Sequence, residues 1–265
     1  MDEARHLIGR RPLDAAGACA ARRRSGRGAA NALLILALGM LFVPVLTMAE
    51  TSHHNPVLLV HGIKDDARKM EPMARYLRSQ GWDARAMSLH PSWGQKGLDV
   101  LAGQVADFVR ANYSSHQRID LVGFSMGGLV CRYYLQRLGG LDRVQRYVSI
   151  SAPNRGSILA WLIQNPGCRQ MRPGSAFLRD LATDARRLST IEFTSLWTPY
   201  DAIIVPSHSS VMPEARNVKM QVICHPLMVW QKNCMAEVAK ALREPLKTQG
   251  EMQKQCLAAG SPFLR

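Results

Sequence analysis

The stretch "IDLVGFSMGGLV" (119–130) runs apolar residues into a serine flanked by glycines. Gly123, Ser125 and Gly127 fit the pattern G-x-S-x-G. In that pattern a serine sits on a strand-to-helix turn too sharp to admit side chains at the flanking positions. The alternative is a glycine-rich turn without chemistry, so the rest of the chain has to supply the partners a nucleophile needs. A serine hydroxyl is a weak nucleophile at neutral pH and requires a base, itself oriented by an acid.

For a nucleophile on this kind of turn the chain order is Ser, then Asp or Glu, then His. Only His208 and His225 follow Ser125. His208 lies in the polar stretch "PSHSS", which follows no strand, whereas His225 directly follows "VKMQVIC" (218–224), an apolar run that reads as a strand. His225 is therefore the expected base. Asp201, in "LWTPYDAIIVP", follows another strand and is the expected acid. Asp180 and Asp184 fall on a helical stretch and read as a solvated face, and Glu192 and Glu214 are distant rivals. A tetrahedral oxyanion also needs donors. The backbone N–H of Met126, at a helix N-terminus, is one candidate, and that of Ile63, in the loop "HGIKDD", is the other. His61 in the same loop reads as structural, holding the loop by hydrogen bonds.

Those residues require strand ends to present them, and the chain supplies strands and helices in alternation. "PVLLVHG" (56–62), "DARAMSL" (83–89), "RIDLVGF" (118–124), "VQRYVSIS" (144–151), "IEFTSLWT" (191–198) and "VKMQVIC" (218–224) read as strands. Residues 67–81, 97–113 and 126–138 carry helical spacing between them, and a closing helix covers 233–242. Strand–helix alternation of this kind predicts an α/β fold, a mostly parallel sheet of about six strands with helices on both faces. On such a sheet chemistry collects at the carboxyl ends of the strands, where Ser125, Asp201 and His225 are expected.

The 265 residues suffice for one substantial domain. Expected divisions are an N-terminal signal peptide or membrane anchor (1–49), a catalytic domain (50–245) and a C-terminal tail (246–265). Residues 32–49 are uncharged and apolar, follow "ARRRSGRGAAN", and end in "TMA", a small-residue cleavage signal. Cleavage near Ala49 would make the protein secreted or periplasmic, and the same run is long enough to serve instead as an uncleaved anchor. The formal net charge is +14, with the basic residues beyond position 50 scattered and no zinc-finger or RNA-binding signature. Nucleic acid is therefore not expected as a partner. Cysteines 131, 168, 224, 234 and 256 lie beyond the leader, an odd number, so at least one is free or pairs between chains.

"LLVHGI", "GFSMGG", "SAPNRGS", "YDAIIVP" and "CHPLM", in this order, resemble the α/β-hydrolases of the lipase and esterase group, over about residues 55–243. The compact size is similar to that of the small secreted bacterial triacylglycerol lipases. The resemblance implies an α/β-hydrolase fold, a triad of Ser125, Asp201 and His225, and oxyanion amides at Ile63 and Met126. It implies cleavage of a small-molecule or lipid carboxylic ester by a monomer, with contact at a lipid interface and no metal or organic cofactor. Two departures stand out: Phe124 precedes the nucleophile where many lipases have His, and residues 152–188 are longer than a bare crossover. With Trp161, Leu162, Met171 and Phe177 the long connection is either a small cap or an ordinary crossover with extra turns. Lipase and carboxylesterase both stay open, as do an acyltransferase using the same triad and a non-catalytic binding protein on the same fold.

Overall fold

The computed structural model describes residues 54–248 and 250. Six strands form one sheet in the order β2-β1-β3-β4-β5-β6: β1 (Val57–Val60), β2 (Ala84–Met87), β3 (Ile119–Phe124), β4 (Val144–Ile150), β5 (Glu192–Trp197) and β6 (Arg216–Lys219). Every neighbouring pair is parallel. Every residue of β1 and β3 is buried, which is why these strands read as unbroken apolar runs rather than as alternating ones. The alternation is there all the same, hidden by the double burial. Leu58 and Val60 enter one core and Val57 and Leu59 the other.

The helices divide between those two cores. α1 (Ala67–Ser79) and α6 (Lys232–Arg243) bury Met70, Met73, Leu77, Met235 and Val238 against one face. α2 (Leu98–Asn112) and α3 (Met126–Arg137) bury Leu101, Val105, Leu129 and Val130 against the other. The start of α1 is set by Asp66, whose carboxylate accepts the Arg68 N–H at 2.8 Å. The fold is that of an α/β-hydrolase, a parallel six-stranded sheet flanked by helices on both faces.

The structure departs from the sequence reading at β6. The expected strand over 218–224 is instead Arg216–Lys219, extended by one further bond from the Met220 N–H to the Trp197 carbonyl. Met220 and Val222 are buried while Ile223 is exposed. The side chains thus alternate as on a strand, but β6 is the last strand of the sheet and the backbone beyond it leaves β5. His225 begins a 3-10 turn, His225–Val229, rather than standing directly at a strand end.

The connection over 152–188 is built of a 3-10 turn (Ile158–Trp161), two short helices, α4 (Pro166–Gln170) and α5 (Ala176–Thr183), and the start of a second 3-10 turn, Ala185–Thr190. Met171 and Phe177 point into the core beside α3, whereas Trp161 and Leu162 are 57% and 78% exposed and stand largely open to solvent. Cys131, Cys168, Cys224 and Cys234 are free thiols.

The expected localisation is corrected. No helix among the described residues is long and apolar enough to cross a membrane, so no spanning helix supports the anchored alternative. Residues 32–49, on which both the anchor and the cleavage reading fall, lie outside the described residues, as does most of the expected tail.

Candidate active site

Ser125 sits between the last residue of β3 and the first of α3, with φ 54° and ψ −124°. A positive φ on a non-glycine residue costs about 1–3 kcal/mol and persists only where the surroundings impose it. Here they do. The Ser125 N–H donates to the Ile150 carbonyl at 2.8 Å, and the Gly128 N–H returns to the Ser125 carbonyl at 3.0 Å, closing the turn from both sides.

The flanking glycines give the turn its room. A Cβ on Gly123 would lie 2.7 Å from Gly128 Cα, and one on Gly127 would lie 2.3 Å from the His61 carbonyl oxygen and 2.6 Å from that of Val60. All of these are backbone atoms of the sheet and helix, which cannot step aside. Gly127→Ala should therefore destabilise the fold by about 3 kcal/mol, the upper part of the overpacking range, read as a lowered urea midpoint. A variant as stable as the parent would mean that α3 can lift off β1 freely.

Asp201 lies four residues beyond β5 in a turn that its own carboxylate builds. Oδ1 accepts the N–H groups of Ile203 and Ile204 at 3.0 and 2.8 Å. Oδ2 meets His225 Nδ1 at 2.7 Å, and both side chains are buried. Burial pushes the Asp201 carboxyl up, but the hydrogen bond and charge of His225 and the amides of Ile204 and Ile203 outweigh it and hold it below the usual carboxylate value. The group is thus an anion that accepts from Nδ1–H, which leaves the His225 Nε2 lone pair free. The Phe124 ring packs on the imidazole at a centroid distance of 4.8 Å, tying His225 to the residue beside Ser125. The structure brings Asp201 and His225 into direct contact. It shows no hydrogen bond between Ser125 Oγ and His225, a contact that is often long until substrate is bound.

Two side chains that sequence reasoning did not single out hold this pair together. Thr198 Oγ1 donates to the Val222 carbonyl at 2.5 Å, bridging the end of β5 to the segment that leads into His225. Ser157 Oγ donates to the Ile203 carbonyl at 2.8 Å and accepts the Val205 N–H at 3.1 Å, bracing the Asp201 turn from the β4 side. For Thr198 a hydroxyl residue just after a strand was the only available signal, and hydroxyl residues are common there; Ser157, seven residues beyond β4, carried none. Ser151, at the end of β4, is a second serine at positive φ, 45°, also without a signature in the sequence.

On the other side of Ser125, Ile63 lies in the loop after β1, and its amide has no acceptor among the described residues. Met126 is the first residue of α3, where helix amides have no intrahelical acceptor. His61 is fully buried, accepts the Leu89 N–H through Nε2 at 2.8 Å, and through Nδ1 donates to the Gly62 carbonyl at 2.7 Å. Burial holds its pKa below the ordinary value, and with both nitrogens engaged the ring is a brace for the Ile63 loop. His208 stands apart in the 3-10 turn Ser207–Ser210, and Asp180 and Asp184 pair with Arg137. Among the described residues no group of three or more His, Cys, Asp or Glu side chains is arranged to hold a metal ion.

Comparison with known proteins adds relatives to this geometry. The family model described as palmitoyl protein thioesterase matches residues 56–171, from before β1 to the end of α4, and so includes Ser125. The lysosomal thioesterase PPT2 of Homo sapiens is 29% identical over 134 residues, 46% of this chain and 44% of that protein. The palmitoyl-protein thioesterase 3 of Dictyostelium discoideum is 25% identical over 122 residues, 44% of this chain and 42% of its own length. The match thus spans less than half the length of these curated relatives. Among solved structures, Aspergillus fumigatus lipase B superposes with a TM-score of 0.64 at 17% identity, over 78% of this chain and 57% of that one. The mature Bacillus licheniformis lipase BlEst2 does so with a TM-score of 0.58 at 18% identity, over 72% and 92%. At such identities the structural likeness carries the fold and not a lipase's substrate. The sheet and its flanking helices thus have the α/β-hydrolase fold, and the proteins this chain is similar to are thioesterases and lipases.

Proposed function

We propose that the chain is a serine hydrolase that cleaves carboxylic esters and thioesters of apolar acyl groups through an acyl-serine intermediate. The observation that carries the reading is the buried 2.7 Å contact of His225 Nδ1 with Asp201 Oδ2, on the same end of the sheet as a serine held at φ 54°. Ser125 Oγ attacks the acyl carbonyl while His225 Nε2 takes its proton. Asp201 fixes the imidazole tautomer and stabilises the imidazolium that forms. The oxyanion receives the N–H groups of Ile63 and Met126. Collapse breaks the bond to the leaving oxygen or sulfur, which departs with the proton from His225. Water then adds to the acyl-enzyme by the same route and regenerates Ser125.

Support for an apolar acyl group comes from the matched family description, palmitoyl protein thioesterase. The resemblance to small bacterial triacylglycerol lipases points to the same bond chemistry on an oxygen ester. The test is hydrolysis of p-nitrophenyl esters from acetyl to palmitoyl beside palmitoyl-coenzyme A. Turnover is expected to rise with acyl length and to extend to the thioester. A folded protein that turns over neither would sink the proposal in favour of a binding protein. Acyl groups passing to added alcohols in preference to water would make the chain an acyltransferase.

A further inference from the structure

Eleven large apolar side chains among the described residues are exposed, and eight of them (Trp93, Ile158, Trp161, Leu162, Tyr200, Ile203, Ile223 and Trp230) lie on segments that follow the carboxyl ends of β2, β4, β5 and β6. Scattered exposed apolar residues need no explanation; their concentration at one end of the sheet does. The segments are joined to one another. Asn165 Nδ2 donates to the Trp93 carbonyl at 2.6 Å, the Gly167 N–H to the Gly94 carbonyl at 2.8 Å, and the Ile158 N–H to the Val205 carbonyl at 2.9 Å. They form a rim around the end of the sheet that carries Ser125.

The charged groups stacked on the exposed indole rings of this rim are basic. Lys64 Nζ lies 4.2 Å from the Trp93 ring centroid, Lys69 Nζ 4.2 Å from that of Trp230, and the Arg172 guanidinium 4.3 Å from that of Trp161. Residues 152–179 contain Arg155, Arg169, Arg172 and Arg179 and no Asp or Glu. Indole rings and long basic side chains side by side suit the boundary of a bilayer, where the ring sits at headgroup level and the cation meets phosphate. Asp65 and Asp66, beside Lys64, are the opposing charges, and Asp66 is already paired with Arg68.

We propose that this rim docks on an anionic lipid surface, with Trp161 and Leu162 inserted and Lys64, Lys69 and Arg172 on the headgroups. Docking would bring the site to acyl chains held in or at a membrane. It deepens the reading of the site as an acyl hydrolase, but a surface can dock whether or not the site turns over, so the two are tested apart.

The experiment uses the full chain carrying Ser125→Ala, with vesicles of phosphatidylcholine alone or with about one third phosphatidylglycerol, their acyl chains brominated to quench tryptophan. Quenching is expected on the anionic vesicles, reduced at least twofold by Trp161→Phe. Trp161→Ala with Leu162→Ala should weaken partitioning at least tenfold, and Lys64→Gln about fivefold, the value of one basic residue at such a surface. Leu138→Ala, exposed at the far end of α3, is the control and should change nothing. Added salt should weaken binding as it screens the headgroups. Thermal midpoints within about 2 °C of the parent would show that these surface changes leave the fold intact. Equal quenching with and without Trp161, or partitioning equal in the double variant and the control, would overturn the proposal. So would a rim-dependent dimer in sedimentation with no vesicle dependence, because the rim would then face a second copy.

Discussion

Replacing Ser125 by alanine abolishes hydrolysis of both p-nitrophenyl esters and the acyl thioester, with a fall in kcat of about 10⁶-fold, the size seen when a triad serine is removed elsewhere. The expectation follows from what the side chain does in the resting protein, which is almost nothing structural. Its hydroxyl makes no hydrogen bond among the described residues, and the sharp turn is held by the backbone through Ile150 and Gly128. Alanine inherits the same backbone and the same strain, so the urea midpoint should move little. Loss of turnover with the fold intact assigns the chemistry to the oxygen. Activity retained above one part in a hundred would remove Ser125 from the mechanism.

Much of the frame of this site was legible because the central strands β1 and β3 are buried on both faces. β1 and β3 announce themselves as short, largely apolar runs, and G-x-S-x-G marks the turn after β3. The reading failed where the apolar pattern outlived the backbone pairing. Val218–Cys224 alternates as a strand does, yet beyond Met220 it has no neighbour to pair with, so His225 reaches Asp201 from a 3-10 turn. It also could not tell inward from outward in the long connection. Met171 and Trp161 are equally apolar in sequence, but one fills the core under α4 while the other stands in solvent. Which way each faces depends on the turn Ile158–Trp161 and on its bonds to the segment after β5. Such contacts between distant segments leave no local periodicity to read.

Asp201→Asn should cost about 10⁴-fold in kcat, the loss known for removing the charge of a triad aspartate while keeping its shape. This site gives the loss a specific cause. Oδ1 of Asp201 already accepts two amides, those of Ile203 and Ile204, and only an oxygen can do so. In the asparagine variant the amide oxygen must stay there, which turns the NH₂ toward His225. Nδ1 must then accept rather than donate, the ring proton moves to Nε2, and the nitrogen facing Ser125 can no longer take a proton. The stability advantage of the parent over the variant should depend on pH in a defined direction. Because the folded carboxyl titrates below its unfolded value, its stabilising share is complete above about pH 4 and is lost as pH falls through the folded value. The stability gap between parent and variant should therefore be constant at neutral pH and close in stronger acid. If Asp201→Asn keeps more than a tenth of the parent kcat, the carboxylate does not orient the base, and its 2.7 Å contact with His225 is structural only.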